Sequence, residues 1–499
     1  MDTHVSRTDV LFALLAGVTG VAGSFAVAGY TRQFVVAPID ALVVRLTPGP
    51  IVAFTIENVG DQGHLLHIAL SIGIAAGLLG AAGLVGIVAA GRVQRPLVGT
   101  ALGGVVAGVL AWGIAAGTTA EPVLAVAAGV PVAILGAVGA APGGAAGYNP
   151  SRRRAMASAV GALGFLGVAG VLGRGQSAGS EGEPGSRSAD VVPSPAVQER
   201  LRQADERQLG IAGDDVPGLV SPIRNFYNVD INQFDPEVPA DDWSMSITGE
   251  VGANIEVTYA DLLDMSVEHR YVTLRCVGER LNGRKMDTAV WTGTPIKPLL
   301  DEADPEGACD CVMLHAEDDY SVQFPVEALE DGLLAWEMNG QPLPKSHGHP
   351  VRVLVPGHWG ETNVKWLTGI ELLDEEADGY WEQRGWHGTG PVNTVAKLWD
   401  TTELDDGRIE VAGHAYAGTR GVDRVEVSLD DGDTWIDTDL SEPLPGDDVW
   451  RQWRHAFDPD GVDEVVVRAV DGEGTVQTGE AADPFPSGAT GWVRQRIDR

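Results

Sequence analysis

The chain has 499 residues, with 69 aspartates and glutamates against 34 lysines and arginines, and a formal net charge of −35. This length exceeds what one ordinary hydrophobic core supports, so several domains are expected. Nucleic acid is excluded as a partner, because its phosphates would repel so acidic a protein. The acidic surface is either an ordinary solvated face or one suited to concentrated salt, which screens self-repulsion over short distances.

The first third of the chain consists largely of apolar, nearly uncharged runs rich in Ala, Gly, Val and Leu. About 20 such residues cross a bilayer, and small residues let helices pack closely. The sequence therefore predicts a membrane domain over residues 1–173 with about five transmembrane helices, in contact with membrane lipid. A soluble helical bundle is the alternative. The runs are 10–30, 65–90, 97–119, 122–141 and 155–173.

Arginines predict the orientation of these helices. Arg7 precedes the first run, Arg92 and Arg95 follow the second, and three arginines at 152–154 precede the fifth. Five spans place all of them on one side, which the positive-inside rule makes cytoplasmic. Everything after residue 173 is then extracytoplasmic. The run at 151–154 is equally typical of a twin-arginine export signal and of a simple topology anchor.

Two intermediate segments are polar or mixed. The outer loop 31–63 alternates enough for a small β-hairpin or for a pair of short amphipathic pieces at the membrane surface. Residues 174–215 are acidic and rich in Gly, Ser and Pro, which predicts a semi-flexible linker with a helical turn at 196–208. Of the three cysteines, Cys309 and Cys311 are expected as thiols on one strand face, since a disulfide between them would be strained.

Residues 271–300 combine a strand, a cysteine and a polar loop bracketed by glycines. Tyr271 to Leu274 is apolar and β-branched, as in a short strand, and Arg275 and Cys276 stand at its end. A thiol at a strand-to-loop junction can reach a ligand. A free cysteine is also often a small buried hydrophobic residue, and this segment alone leaves both interpretations open.

Three blocks of the chain resemble the sulfite oxidase family. The first contains Cys276, Asn282, Trp291, Gly293, Leu299 and Leu300. The second, HGHPVRVLVPGHWGETNVKWLTGIEL, runs from His347 to Leu372, and the third, VAGHAYAGTRGVDRVEVSLDDGDTW, runs from Val411 to Trp435. The blocks occur in family order and lie within roughly residues 220–480, so the chain is identified as a member of that family.

The resemblance implies a molybdenum–molybdopterin cofactor whose metal takes the Cys276 thiolate as its protein ligand. It also implies a catalytic phenol at Tyr380. His347, Arg352 and Lys365 are cationic or potentially so, and beside glycine-rich backbone they suit a pterin phosphate, although each alone could pair with a local carboxylate. The implied cofactor-binding residues are Asn225, Phe226, Tyr227, Arg275, Cys276, His347, Arg352, Gly360, Thr362, Asn363 and Lys365.

The expected fold is multi-domain. An N-terminal α-helical membrane bundle precedes an α+β molybdopterin-binding catalytic domain over residues 216–392, which resembles that of sulfite oxidases. Residues 393–499 contain alternating strands separated by Asp-Gly turns, which predicts an immunoglobulin-like β-sandwich. In the family this domain often dimerises, so a homodimer is expected.

The resemblance implies oxygen-atom transfer on a small sulfur-containing substrate, of the sulfite or the sulfoxide type. Electrons would pass to a separate electron-transfer protein or membrane carrier. Sulfite-oxidising members tend to have an arginine near Asn228, and the asparagine in this chain disfavours sulfite itself. The acidic composition is similar to that of haloarchaeal proteins. The alternative from another class is a non-catalytic, membrane-tethered binding or assembly protein that retains the fold.

Overall fold

The computed structural model describes residues 5–59, 63–141, 150–180 and 192–497, which fall into two compact units. The first unit comprises residues within 1–47, 59–186 and 230–235. The second comprises residues within 48–58, 187–229 and 236–499. Two short segments, 48–58 and 230–235, therefore belong to a different unit from the residues on either side of them.

The described N-terminal part is helical. Its helices are α1 (Arg7–Ala28), α2 (Ala37–Leu46), α3 (Gly49–Asn58), α4 (Gly63–Gly91), α5 (Pro96–Thr119), α6 (Val126–Ala140) and α7 (Pro150–Ser180). Within them, four stretches are long and apolar enough to cross a membrane: Arg7–Ala28, Leu65–Gly91, Pro96–Thr119 and Met156–Arg174. The expected span at 122–141 is a shorter helix of 15 residues with Pro131 inside it. The outer loop forms α2 and α3, so the helical alternative replaces the hairpin.

Small residues bring the helices of the first unit together. A Cβ atom added to Gly17 would overlap the carbonyl of Ala76, and one added to Gly86 would overlap the carbonyl of Gly103. Backbone atoms of neighbouring helices thus approach where no side chain intervenes. The composition that predicted membrane helices therefore also explains how they pack.

One buried carboxylate interrupts this apolar packing. Asp40 on α2 is 1% exposed, and its Oδ1 lies 2.9 Å from His67 Nδ1 and accepts a hydrogen bond of 2.9 Å from the Ser71 hydroxyl. Burying a carboxylate is costly unless hydrogen bonds replace its hydration. The cluster ties α2 to α4.

The first part of the second unit contains two β-sheets and several short helices. Helix α8 (Pro195–Arg207) comes first. It is followed by β1 (Ser244–Gly249), β2 (Ile255–Thr258), α9 (Tyr259–Asp264), β3 (Glu268–Arg275), β4 (Met286–Pro295), α10 (Lys297–Ala303), β5 (Cys311–Ala316), β6 (Ser321–Pro325), α11 (Val326–Glu330), β7 (Leu333–Met338), β8 (Gln341–Pro342), β9 (Arg352–Leu354) and β10 (Leu367–Leu373). One sheet has the order β2-β1-β10-β5-β6, with β1 and β10 parallel. The other has the order β3-β4-β7-β8, and β9 also pairs with β7.

The C-terminal part consists of two four-stranded antiparallel sheets. Its strands are β11 (Val395–Glu403), β12 (Ile409–Tyr416), β13 (Val422–Ser428), β14 (Ile436–Asp437), β15 (Asp439–Leu440), β16 (Arg451–Phe457), β17 (Glu464–Asp471) and β18 (Val493–Arg496). The sheet orders are β11-β12-β16-β15 and β14-β13-β17-β18. Both sheets contribute to one core, for example through Val411 and Val467. The expected β-rich domain is present, and its immunoglobulin-like connectivity stays a prediction.

Residues 192–215 were expected to be part of a semi-flexible linker with a helical turn at 196–208. The helix is present as α8, but the segment is packed on the folded domain. Helix α8 buries Val197 and Ala204 against the second unit, and the Tyr271 hydroxyl donates to the carbonyl of Arg200. The Leu209 backbone N–H also bonds to Gln452 Oε1 at 2.8 Å. Apolar residues at helical spacing inside a polar stretch therefore fix this part to the folded domain.

The cysteine expectation was wrong. The structure joins Cys309 and Cys311 in a disulfide, with their Cα atoms 5.2 Å apart. Strand β5 starts only at Cys311, and Asp310 between them has a φ of 48°, so Cys309 lies in the preceding turn and not on the strand face. Cys276 remains the free cysteine among the described residues.

Candidate functional site

Strand β3 delivers Arg275 and Cys276 to the start of a tight loop. The strand pairs with β4 so that Arg275 lies opposite Met286, and the Cys276 N–H bonds to the carbonyl of Lys285 at 3.0 Å. Residues 276–285 thus form a closed loop between two paired strands. Burial raises the pKa of the Cys276 thiol to about 11, so a cation or metal would be needed to hold it as a thiolate at neutral pH.

A buried ion cluster lies in this loop. Glu279 Oε1 accepts from Arg275 Nε at 3.2 Å and from Lys397 Nζ, and the Arg275 and Lys397 side chains are fully buried. The other carboxylate oxygen accepts the Lys285 N–H at 2.8 Å. One carboxylate is therefore shared by two cations, directly behind the cysteine.

A second set of residues forms an aromatic and cationic face. Phe226 stacks on Tyr227 at 5.7 Å and meets Trp291 and His347 edge-on at 5.7 and 5.6 Å. The Arg352 guanidinium lies 5.1 Å from the Trp291 ring centre. Phe226 and Tyr227, which precede the first family-like block in the chain, therefore lie close to His347 and Arg352, which follow it.

Tyr227 connects the two sets. The electrostatic surroundings of its phenol include the thiol of Cys276 and the guanidinium of Arg352. A Cβ atom on Gly360 would come within 2.6 Å of the Tyr227 hydroxyl and 3.2 Å of the Arg275 carbonyl. Glycine is needed at 360 because any side chain would fill this space.

His347 is not the cation that the sequence suggested. Burial, with the positive charges of Arg352 and Lys365, lowers its pKa to about 3. The imidazole is therefore neutral at neutral pH and can offer one N–H and one lone pair. The charge near a bound phosphate would come from Arg352 and Lys365, while the neutral His347 ring, which bonds to the Ile223 backbone, would line the site.

Arg352 and Lys365 are held in place by neutral oxygen atoms. Arg352 Nη1 donates to the carbonyl of His347 at 3.2 Å, and its Nη2 donates to that of Asn363 at 2.8 Å. Lys365 Nζ donates to Asn228 Oδ1 at 2.7 Å and to the Ser346 carbonyl at 2.9 Å. These bonds help to orient both side chains.

Asn225, Thr362 and Asn363, three other expected cofactor-binding residues, lie in different surroundings. Asn225 is exposed and lines a cavity of about 190 Å³ with Asp287 and Arg284. Asn363 uses its amide within the chain: Oδ1 accepts from the Val355 N–H at 2.8 Å, and Nδ2 donates to the Trp359 carbonyl at 3.1 Å. Thr362 is fully buried and bonds to the same carbonyl at 3.0 Å. Thr362 and Asn363 therefore shape the loop through their side chains.

Tyr380 lies in a separate aromatic cluster. Its ring is 5.9 Å from Tyr320, and the Arg384 guanidinium lies 3.6 Å from its centre. The Tyr320 hydroxyl bonds to the Glu361 carbonyl at 2.9 Å. Among the described residues, the contacts of Tyr380 therefore lead to the 360–363 turn through Tyr320, and none of them joins Tyr380 to Cys276.

An acidic pair beside this cluster was not foreseen. Burial, with the nearby charge of Glu382, raises the pKa of Glu361 to about 8, and burial also raises the pKa of Glu382. Trp386, four residues after Glu382, is buried, and its Nε1 has no hydrogen-bond partner among the described residues. These groups can hold protons or donate hydrogen bonds beside the site. Sequence alone gave no signal of their burial.

The described residues fit a molybdopterin in three respects. Arg275 Nη2 is buried without a hydrogen-bond partner among them, so one strong donor is available to a ligand. The turn at Gly360 leaves room that a Cβ atom would fill. The third respect is Cys276, which offers one free thiol at the start of the 276–285 loop.

Two family models match the second unit. Residues 232–381 match the oxidoreductase molybdopterin binding domain, and residues 392–483 match the Mo-co oxidoreductase dimerisation domain. Residues 232–381 are therefore similar to domains that bind molybdopterin in oxidoreductases, and the cofactor that these matches imply is the molybdenum–molybdopterin group.

Sulfite oxidases and a nitrate reductase are among the proteins that are similar to this chain. Mitochondrial sulfite oxidases from Macaca fascicularis and Homo sapiens are each 30% identical, over 48% of this chain and 54% of theirs. An NADH nitrate reductase from Spinacia oleracea is 27% identical over 47% of this chain and 33% of its own. The chain spans about half the length of the sulfite oxidases that it matches. Its molybdopterin-binding and dimerisation domains are similar to those of sulfite oxidases.

A solved structure was also similar. The sulfane dehydrogenase SoxCD from Paracoccus pantotrophus matches with a TM-score of 0.44 and 21% identity, over 52% of this chain and 75% of that one.

Proposed function

We propose that the chain is a membrane-anchored molybdenum oxidoreductase that transfers an oxygen atom to or from a small sulfur compound outside the cytoplasm. The observation that carries the proposal is the position of Cys276. Cys276 directly follows strand β3, beside the buried guanidinium of Arg275 with its open donor and within electrostatic range of Tyr227, inside the matched molybdopterin-binding domain. When bound, the cofactor supplies the oxygen-atom transfer and the change of two electrons.

The chain's own residues would bind and orient this cofactor. Cys276 supplies the thiolate to the metal, which replaces the thiol proton. Arg352 and Lys365 supply positive charge to the pterin phosphate, and His347 lines the site as a neutral ring. Phe226 excludes water beneath this face. Electrons then pass to a separate protein or membrane carrier.

The substrate is proposed to be a neutral or weakly charged sulfur compound more readily than sulfite. Asn228 is neutral, and its side-chain oxygen is already engaged by Lys365 at 2.7 Å. The Asn228 side chain itself would therefore add no positive charge to attract a dianion such as sulfite. A sulfoxide or an organic sulfur compound requires less positive charge around the reacting atom.

The membrane anchor is proposed to cross five times, with α6 completing the set. The four long apolar stretches support the anchor, and arginines at 92 and 95 lie between α4 and α5. This count puts the second unit outside the cytoplasm. A reporter fused beyond α7 that is active only in the cytoplasm would refute the orientation.

The acidic composition leads us to propose a halophilic protein. Screening of like charges by concentrated salt would then stabilise the folded state. Thermal unfolding in rising potassium chloride measures this, and a melting temperature that falls with salt contradicts it. The C-terminal domain is proposed to form the homodimer, which sedimentation of the detergent-solubilised chain can test.

Metal analysis tests the enzyme proposal itself. Protein purified from molybdate-fed cells should contain about one molybdenum per chain and release a pterin fluorophore after acid oxidation. It should also turn over in a screen of sulfite, sulfoxides and organic sulfur compounds with artificial electron carriers. Metal-free and pterin-free protein from such cells would overturn the proposal and favour a binding or assembly role.

A further inference from the structure

We infer that the C-terminal domain positions the metal-ligand loop and adjusts its charge through Lys397, so that this domain does more than join two copies of the chain. Lys397 lies on β11, within the residues that match the dimerisation domain. The inference rests on the proposed role of Cys276 and makes Lys397 a positioning residue of that site.

Strand β11 contacts the loop 276–285 through consecutive residues. Lys397 Nζ donates to Glu279 Oε1 and, at 3.0 Å, to the Gly283 carbonyl. The backbone N–H and carbonyl of Leu398 bond to the Asn282 amide at 2.9 and 2.7 Å. The Trp399 indole adds a bond to the Gly283 carbonyl at 3.2 Å. The loop is thus hydrogen-bonded to another domain along much of its length.

The charges of this contact are buried and do not cancel. The side chains of Arg275 and Lys397 are fully buried and that of Glu279 is 2% exposed, and together they have one net positive charge. Buried charges interact more strongly than exposed ones, because little water screens them. Cys276 is among the groups whose charge affects Lys397. The cluster therefore acts on the thiolate as well as on the loop.

Other charges that face the cluster come from several elements. Lys285 at the end of the loop lies within range of Cys276, as does Glu361 on the turn after β9. Asp287 on β4 lies within range of Glu279 and Lys397. None of these is changed in the variants below, so their contribution is constant across the comparison.

A positive charge near a metal that gains electrons stabilises the reduced form. Lys397→Met removes one positive charge and should make the midpoint potential of the molybdenum more negative. Glu279→Gln removes the negative charge and should make it more positive. The double variant has the wild-type net charge, and its potential should return close to the wild-type value. Lys397→Arg keeps the charge and should leave the potential nearly unchanged.

The test is a redox titration of the holoenzyme followed by electron paramagnetic resonance of the molybdenum, at pH 6.5 so that Lys397 stays protonated. Molybdenum and pterin content are measured in parallel, and hydrogen exchange of the amides at 276–285 reports how well the loop is held. Both single variants should exchange faster there than wild type. Opposite shifts of potential, with recovery in the double variant, are the expected result.

Two results would overturn the inference. Shifts of the same sign in both single variants, largest in the double variant, would mean that the cluster holds structure without acting through charge. Unchanged potentials and unchanged loop exchange in a metal-loaded Lys397→Met protein would mean that β11 does not position the loop. Should Lys397→Met fail to fold, Glu279→Gln and the double variant still decide the sign. Wild type without molybdenum would instead refute the proposed function.

Discussion

The two cationic clusters beside Cys276 are built differently. In the loop cluster, Arg275 and Lys397 share the carboxylate of Glu279, and strand β11 of the C-terminal domain holds the arrangement. In the pterin-side cluster, Arg352 and Lys365 are fixed by bonds to carbonyl and amide oxygens of the molybdopterin-binding domain. The first cluster contains a carboxylate between its two cations and has one net positive charge, whereas the hydrogen bonds described for the second run to neutral oxygen atoms.

The difference indicates that the pterin-side cluster serves cofactor binding and that the loop cluster serves the chemistry of the metal. A guanidinium and an ammonium group that lie close together suit an anionic phosphate. A cluster that contains its own counter-ion suits the task of holding a loop in one geometry, at the cost that losing one partner leaves a buried charge unmatched. Pterin retention and metal reactivity should therefore respond separately to mutation.

The largest expected effect comes from Cys276→Ser. A serine hydroxyl keeps its proton at neutral pH and is a harder, poorer ligand for molybdenum than a thiolate. Turnover should fall by several orders of magnitude, while pterin content stays near wild type because its phosphate is bound by the other cluster. Pterin fluorescence and steady-state rates measure the two quantities.

The matched control is Cys309→Ser. This exchange removes the disulfide with Cys311, which closes only a very short loop and so stabilises the fold little by its entropy. Activity should stay largely intact. If Cys309→Ser abolished activity and Cys276→Ser did not, the metal ligand would be misassigned.

The next largest effect is expected from Arg352→Gln, which should release the pterin. Losing one charge-assisted contact typically costs about 1.5–3 kcal/mol, or roughly 10- to 100-fold in affinity. Pterin content should fall while the Cys276 loop keeps its slow hydrogen exchange. Arg270→Gln on β3, where Arg270 pairs with Glu268, is the control and should retain its pterin. Equal pterin loss in both variants would contradict the division.

A smaller effect concerns substrate charge at Asn228. The wild-type protein should bind sulfite weakly, and Asn228→Arg should improve its Michaelis constant by roughly 10- to 100-fold through one added charge-assisted contact. Asn228→Gln adds no charge and serves as the control. A wild-type Michaelis constant for sulfite in the low micromolar range, or no improvement with arginine, would disprove this assignment.

The smallest effect is a change in the pH dependence of stability at Asp448, which supports strand β3 from the C-terminal domain. Its carbonyl accepts the Thr273 N–H at 3.0 Å, and its carboxyl accepts from the Tyr416 hydroxyl. Burial raises the pKa of this carboxyl to about 7. The folded state then binds more protons than the unfolded state between about pH 4 and 7, so this group's contribution to stability falls as pH rises, by up to about 1.4 kcal/mol per pH unit.

Asp448→Asn tests that linkage, because asparagine cannot ionise. Relative to wild type, the variant should gain stability from pH 4 to 7 and then level off. Chemical unfolding at constant high salt measures the free energy at each pH. A difference in unfolding free energy that does not change with pH would show that the buried carboxyl titrates normally.

Much of the fold could be predicted because its signals are local. The strand ending at Arg275 was predicted from β-branched residues, and β3 ends there. The apolar runs at 10–30, 65–90 and 97–119 predicted helices, and α1, α4 and α5 occupy most of these ranges. The helical turn at 196–208 was also predicted and is present as α8. Its docking was missed, because a few apolar residues in a polar segment sufficed for it.

The candidate site could be predicted only where its residues share a motif. Cys276 and Arg352 stand in long family-like blocks, but Lys397 lies 118 positions from Glu279 in a strand that reads as core. A lysine between apolar neighbours in an alternating strand was the available signal, since it must either face solvent or find a buried partner. The neutral state of His347 depends on burial and on neighbouring charges, which sequence does not give.

Helix α3 has a practical consequence for making the catalytic part alone. It is encoded more than a hundred residues upstream of α8, yet it belongs to the second unit, where Gly49 packs against the backbone of Arg384. A fragment starting at residue 192 would be missing that piece and would expose the Arg384 turn beside Tyr380. Supplying residues 48–58 as a separate peptide, and asking whether it restores protease resistance to the fragment, would show whether this unit is made from two distant pieces of chain.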